Sequence, residues 1–234
     1  MIRAGRPDVK GTGPQPGDTI RLAVPYYAQT AEFSCGPASL LMVMRFLDPA
    51  FPMTRASEFE VWRDCNMVGV RGADAFGLAV PLLKAGYEAR LVAASRVAVD
   101  AETWRRRLAG SHFSPEDAKL AVFAAGQNRR RALGLGLRFR RAVPTVARIE
   151  AAMREGFLVL ALVHMGVVHQ YDIPHWVVVT GISKARVTFN DPYPPKGRKG
   201  LRLEHALFQK MMDDVSPLGM TPAIVLARRC RTGR

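Results

Sequence analysis

The segment Ser34–Leu47, SCGPASLLMVMRFL, decides the architecture. Ser34 suits an N-cap, and Pro37 is tolerated in a first helical turn. From Ala38 to Leu47 the side chains are apolar around nearly the whole circumference, with Arg45 the exception. A helix of that kind runs buried through a core. Asp48-Pro49 stops it, because proline disfavours the helical conformation in the residue before it. Just upstream, Ile20 to Val24 alternates weakly and reads as a short strand, and Pro25 opens an extended segment, Tyr26-Tyr27-Ala28-Gln29.

Downstream, the spacing predicts further helices before the pattern changes. Asp74 to Ala85 is capped by Asp74 and closed by Gly86, with Pro81 expected to kink or shorten it. Tyr87 to Val92 is a strand. Ala101 to Leu108 is helical, and a second helix starts at Ser114-Pro115-Glu116-Asp117, a strong N-terminal signature, and breaks at Gly134 and Gly136. Thr145 to Glu155 is a short amphipathic helix. After Gly156, Phe157–Val163, Trp176–Thr180, Arg186–Asn190 and Ala223–Ala227 are β-branched and aromatic runs bounded by turn residues, hence strands. Helices first and strands last argue for an α+β fold: an N-terminal helical part, with one buried helix, packed on a C-terminal antiparallel sheet.

The chain has 234 residues, 48% of them hydrophobic, enough for one large domain with a real core. Residues 1–19, rich in Gly, Pro and charge, read as a flexible arm, and 20–234 as a single domain. This composition excludes a disordered, collagen-like or disulfide-framework protein. The longest apolar run, Phe157 to Val168, is interrupted by His164 and falls short of the ~18 residues of a membrane-spanning helix. No apolar h-region opens the sequence, and three cysteines is an odd number, so the expected compartment is the reducing cytoplasm.

Charge is uneven. Residues 101–154 hold 12 basic groups against 4 acidic ones and carry most of the net +14. Such a stretch suits an acidic partner, whether a polyanionic peptide, nucleic acid or a membrane surface; it equally suits a solvated Arg-rich helical face. If the chain acts on a peptide or protein substrate, these arginines suit an acidic one; nucleic acid is the less favoured partner. Oligomeric state leaves no mark on the sequence.

Of the three cysteines, Cys230 lies in an Arg-rich tail and Cys65 has neither a helix start nor a histidine nearby. Cys35 falls in the first turn of the buried helix, where unpaired N–H groups and the helix dipole favour an anion. That setting, with an imidazole close by, lowers a thiol pKa and makes a nucleophile. A small buried structural cysteine would fit the same position. Gln29, six residues upstream, could fold back and, with the Cys35 N–H, donate to an oxyanion. Among the five histidines, His112 and His205 sit in polar helical surroundings, His164 ends a strand and His169 occupies the turn after it. His175 opens the strand Trp176–Thr180. If that strand pairs with Arg186–Asn190 through the Gly181–Ala185 turn, Asp191 comes to lie beside His175. Asp191 would then take the Nδ1 proton and leave Nε2 for the thiol. A strand-ending Asp-Pro turn and a satisfied core-edge histidine are the structural alternative. No CxxC or HxxxH pair, P-loop or GxGxxG occurs, and neither metal nor cofactor is expected.

VPYYAQTAEFSCGPASLLMVMRFL (24–47) and PHWVVVTGISKARVTFNDPY (174–193) resemble two motifs of the bacteriocin-processing, double-glycine-leader cysteine peptidases and their stand-alone relatives, which are papain-like. The resemblance implies a papain-like fold in which Cys35 is the nucleophile, His175 the base, Asp191 the orienting acid and Gln29 the oxyanion-hole glutamine. The implied activity is thiol-dependent hydrolysis of a peptide or isopeptide bond through an acyl-enzyme. Phytochelatin synthases look similar in the same two places, so acyl transfer to an amine or thiol is the first alternative. A non-catalytic basic binding module on this fold is the second. The Cys35-to-His175 spacing exceeds what a minimal version of the fold needs. The surplus, Arg-rich and helical over about 101–143, reads as an insert forming a lid.

Overall fold

The computed structural model describes residues 19–99, 101–108, 114–169, 173–194 and 197–230; of the arm expected over 1–19 all but Thr19 lies outside the described residues, as does His112. In chain order the elements are β1 (Ile20–Arg21), α1 (Cys35–Leu47), α2 (Arg55–Cys65), α3 (Ala75–Lys84), β2 (Glu88–Ala93), α4 (Ala101–Leu108), α5 (Pro115–Gly134), β3 (Arg138–Arg141), α6 (Val146–Arg154), β4 (Leu158–His164), α7 (Gly166–His169), β5 (Pro174–Ile182), β6 (Arg186–Asn190), β7 (Leu201–Glu204), α8 (His205–Asp213) and β8 (Ala223–Arg228). The strands form one sheet in the order β3-β2-β8-β4-β5-β6-β7, with β1 also paired to β5. Only β2–β3 is parallel.

The sheet is covered on both sides. Leu158, Leu160 and Leu162 of β4 join the core built with α1, α2 and α3, while Val159, Ala161 and Val163 join a second core with α6 and α8. Burial on both faces explains why these strands read as continuous apolar runs without alternation. The α+β architecture expected from the sequence is the one observed, and all six strand windows read there pair in the sheet.

Four further elements carry weak sequence signals. β3, Arg-Phe-Arg-Arg, is charged and largely exposed and is held by its ladder to β2. β7 is four residues long, too short for its alternation to register. α2 buries Ser57, Glu58, Val61 and Cys65, a helical stripe disguised by a carboxylate. α8 buries Phe208, Met211 and Met212 on the second core. Pro81 sits inside α3 without ending it.

The Arg-rich segment is attached to the domain through α5. α5 turns Ala118, Ala121, Ala125, Asn128 and Ala132 inward at helical spacing, packs along α3, and leads into β3 at the edge of the sheet. Its one buried polar residue explains the attachment. Asn128 Nδ2 donates to Asp74 Oδ2 at 2.7 Å and to the Asn66 carbonyl at 3.1 Å. Asp74 in turn caps α3, accepting from Phe76 and Gly77 N–H. Burial pushes the Asp74 carboxyl up to about 6 despite these hydrogen bonds.

The first turn of α1 is fixed against β5 by close contact. A Cβ built on Gly36 would meet Ala73 Cβ at 3.0 Å, Leu78 Cδ2 at 3.1 Å and Trp176 Cδ1 at 3.2 Å. The Ser39 hydroxyl donates to the Trp176 carbonyl at 3.0 Å, and the Trp176 indole N–H donates to the Ala73 carbonyl at 3.0 Å.

Two stability predictions follow from these contacts. Gly36→Ala overpacks the α1–β5 contact and is expected to cost ~1–3 kcal/mol in urea unfolding. Asn128→Ala strands the Asp74 Oδ2 and Asn66 carbonyl in the interior, at an expected ~1–3 kcal/mol by the same measurement.

Candidate active site

Cys35 is the first residue of α1 and is partly exposed. Ser34 occupies the N-cap position but does not cap with its side chain: its hydroxyl donates to the Ala31 carbonyl and accepts from the Ala31 N–H. The segment leading to this turn is anchored by buried Glu58 of α2, which accepts from the Tyr27 hydroxyl at 3.1 Å, the Thr30 N–H at 2.9 Å and the Thr30 hydroxyl at 2.6 Å. The Gln29 N–H donates to the Pro192 carbonyl at 2.8 Å, so the loop before Cys35 is tied directly to the Asp191-Pro192 turn.

His175 reaches the site from β5. It is buried and opposite Val163 in the β4–β5 ladder. An irregularity between Val179 and Gly181 shifts the β5–β6 register by one residue, so that Asn190 faces Val178. Continued one residue further, that register sets Asp191 beside Val177, two residues from His175. The hairpin reading of the sequence therefore brings together the two side chains it named: His175 Nε2 lies 2.8 Å from Asp191 Oδ1.

The ring orientation is opposite to the one expected. Nε2, not Nδ1, meets the carboxylate, which leaves Nδ1 for the sulfur. The reason is local. The backbone N–H groups of Trp176, next to His175, and of Gly36 lie close enough to favour the charged Cys35 sulfur. The ring nitrogen nearer the backbone is then the one within reach of sulfur, and the far nitrogen turns to Asp191.

Asp191 is fully buried, and both its oxygens are engaged. Oδ1 accepts from His175 and, at 2.9 Å, from the Tyr193 N–H. Oδ2 lies 2.5 Å from Nε2 of a second buried histidine, His169. The Tyr193 ring packs against both imidazoles, centroids 5.6 Å from His169 and 6.0 Å from His175. The Tyr26 hydroxyl donates to the Asp191 backbone carbonyl. Sequence reasoning left His169 in a turn. The signal was available: the β4–β5 connection must lie at the end of the sheet where β5 begins, the end that also holds Asp191.

Gln29 is buried beside the helix start, but its side-chain amide is turned into its own loop. Nε2 donates to the Ala31 carbonyl at 2.8 Å and to the Glu32 carbonyl at 3.1 Å, while Oε1 is buried without a partner.

Electrostatics separate the cysteines. Burial pushes the Cys35 thiol up, but the His175 charge, its hydrogen bond and the N–H groups of Trp176 and Gly36 outweigh this and bring it below the ordinary thiol value. Burial likewise works against a charged His175, yet the facing sulfur and the Asp191 hydrogen bond raise it to about 9. Asp191, for which burial is again unfavourable, is held below the usual carboxylate range, chiefly by His175. Cys65 has no imidazole partner: burial first, then the charges of Asp74 and Asp64, drive its thiol well above the usual value. Cys230 is exposed, with Sγ donating to the Gly86 carbonyl.

No helix among the described residues is long and apolar enough to cross a membrane. No curated protein matches the chain. Several solved structures are similar to it at low identity. The peptidase domain of Streptococcus ComA, a bi-functional ABC transporter of a quorum-sensing pathway, is 14% identical with a TM-score of 0.44, covering 88% of this chain and 98% of that one. A double glycine motif protease from an AMS/PCAT transporter, crystallised with its leader peptide, is 16% identical with a TM-score of 0.42, covering 89% and 94%. A C39-like peptidase from Bacillus anthracis is 12% identical with a TM-score of 0.46, covering 91% and 98%. A family model described as Peptidase_C39 like family matches residues 24–213, a span that contains Gln29, Cys35, His169, His175 and Asp191. The chain belongs to the Peptidase_C39 like family, and its fold is a mixed α+β one.

Proposed function

We propose that the protein is a cysteine peptidase that cleaves a peptide or isopeptide bond through an acyl-enzyme, with Cys35 as nucleophile, His175 as acid and base, and Asp191 as the group that orients the imidazole. The observation that carries this reading is the chain of contacts from Cys35 Sγ through the His175 ring to the buried Asp191 carboxylate. The depressed thiol and the raised imidazole favour the thiolate–imidazolium pair, which is the reactive form of such a site.

Sulfur attacks the scissile carbonyl, forming the C–S bond as the carbonyl electron pair moves onto oxygen. Cys35 is the first residue of its helix, so its N–H has no intrahelical acceptor and is available to that oxyanion. Gln29 is the proposed second donor. Both of its amide hydrogens are engaged in its own turn, so this role requires release of the longer contact, to the Glu32 carbonyl. The orphaned Oε1 supports such mobility of the amide, since a buried polar atom without a partner marks a group that gains by moving. His175 passes its Nδ1 proton to the leaving nitrogen as the C–N bond breaks. Water then gives a proton back to Nδ1, attacks the thioester and releases the sulfur.

Incubation with a proteome-derived peptide library is expected to yield new termini with the wild-type protein and none with Cys35→Ala. His175→Ala is expected to lower kcat by ~10²–10⁴. Iodoacetamide is expected to label Cys35 in preference to Cys65 and Cys230 near neutral pH; equal labelling of all three would remove the proposal.

The pH dependence has a defined sign. The acid limb of kcat/KM is expected below the ordinary thiol value, where Cys35 takes up its proton, and the alkaline limb near pH 9, where His175 loses its own. Alkylation of Cys35 should follow the acid limb but not the alkaline one, because loss of the imidazolium proton removes the general acid and leaves the thiolate.

A further inference from the structure

We propose that His169 is a positioning residue of this site, a second imidazole that holds the Asp191 carboxylate in the orientation that serves His175. This rests on the peptidase reading above.

A carboxylate with no solvent access must find every hydrogen bond inside the protein, and an oxygen left bare costs stability and frees the group to turn about its Cβ–Cγ bond. At Asp191 the work is divided. Oδ1 serves His175 and is steadied by the Tyr193 N–H, while Oδ2 is satisfied by His169 Nε2. Because the carboxylate is acceptor-only when ionised, His169 must carry its proton on Nε2. The two histidines thus grip one carboxylate by its two oxygens, and Tyr193 packs against both rings.

The local sequence is built to deliver this ring. α7 is a single turn between β4 and β5, and its last residue, His169, donates its backbone N–H to the Met165 carbonyl at 2.8 Å. Met165 is itself buried in the second core, so the turn is fastened to the sheet. A Cβ on Gly166 would meet the His164 ring at 2.6 Å, so a side chain there would displace that ring. Among the described residues, the titratable groups around the Cys35–His175 pair include Asp191, His169, Tyr193, Tyr26 and Cys65, and of these Asp191 alone is a carboxylate.

Without the His169 donor, Asp191 turns or takes up a proton, His175 holds its own proton less firmly, and the thiolate forms only at higher pH. The test compares His169→Ala with His169→Gln, whose amide nitrogen can donate from nearly the same place, in the full chain, following iodoacetamide alkylation of Cys35 against pH. In the Ala variant the acid limb is expected to move up by about one unit, so that alkylation at a pH below that limb slows about tenfold, with Gln restoring it. On the library peptides, kcat should fall with KM unchanged. If the Ala variant does not fold, His169→Phe, which fills the space without a donor, takes its place. An acid limb unmoved in the folded Ala or Phe variant, or moved equally in Gln, overturns the inference. A wild-type Cys35 that is not selectively alkylated at all would instead overturn the peptidase reading.

Discussion

The close approach of α1 to β5 at Gly36 is the constraint on which the site depends. Three side chains stand within 3.2 Å of where a Cβ would be, so the helix start can lie against Trp176 only because that carbon is missing. The approach puts Cys35 within reach of the Trp176 N–H and of the ring of His175, one residue before it. Glycine here serves packing. Substrate access, the role its position beside the sulfur suggests, is a weaker reason for it than the indole it lies upon.

Once the sulfur is there, its surroundings decide its chemistry. Cys35 and Cys65 are both removed from bulk water to a large extent, yet their thiols shift in opposite directions. The difference lies in partners: an imidazole and two backbone N–H groups face Cys35, whereas Cys65 faces the carboxylates of Asp74 and Asp64. Burial amplifies whatever charge is nearby, because little water remains to screen it.

Much of this was legible in the sequence. The capping of α3 by Asp74 and of α5 by Ser114, the all-round apolar α1 and the β-branched runs after Gly156 use local chemistry, and local chemistry is what a sequence displays. The pairing of His175 with Asp191 was legible too, since a hairpin makes two distant positions neighbours. What escaped was set by tertiary contact. The orientation of the His175 ring depends on which backbone N–H the sulfur meets. His169 is recruited across 22 positions by a carboxylate. β3 is a strand because β2 offers it a ladder, while its three arginines stay exposed to water. α2 hides its buried stripe behind Glu58, whose charge is needed to hold Tyr27 and Thr30.

The attachment of α5 through Asn128 has a consequence for anyone wishing to trim the protein. Asn128 grips both the cap of α3 and the end of α2, and the loop between those helices supplies the Ala73 carbonyl that receives the Trp176 indole. The Arg-rich stretch is therefore a buttress for the wall behind Cys35. Excising it to obtain a smaller domain would uncover a buried carboxylate and loosen the ground on which the thiol stands.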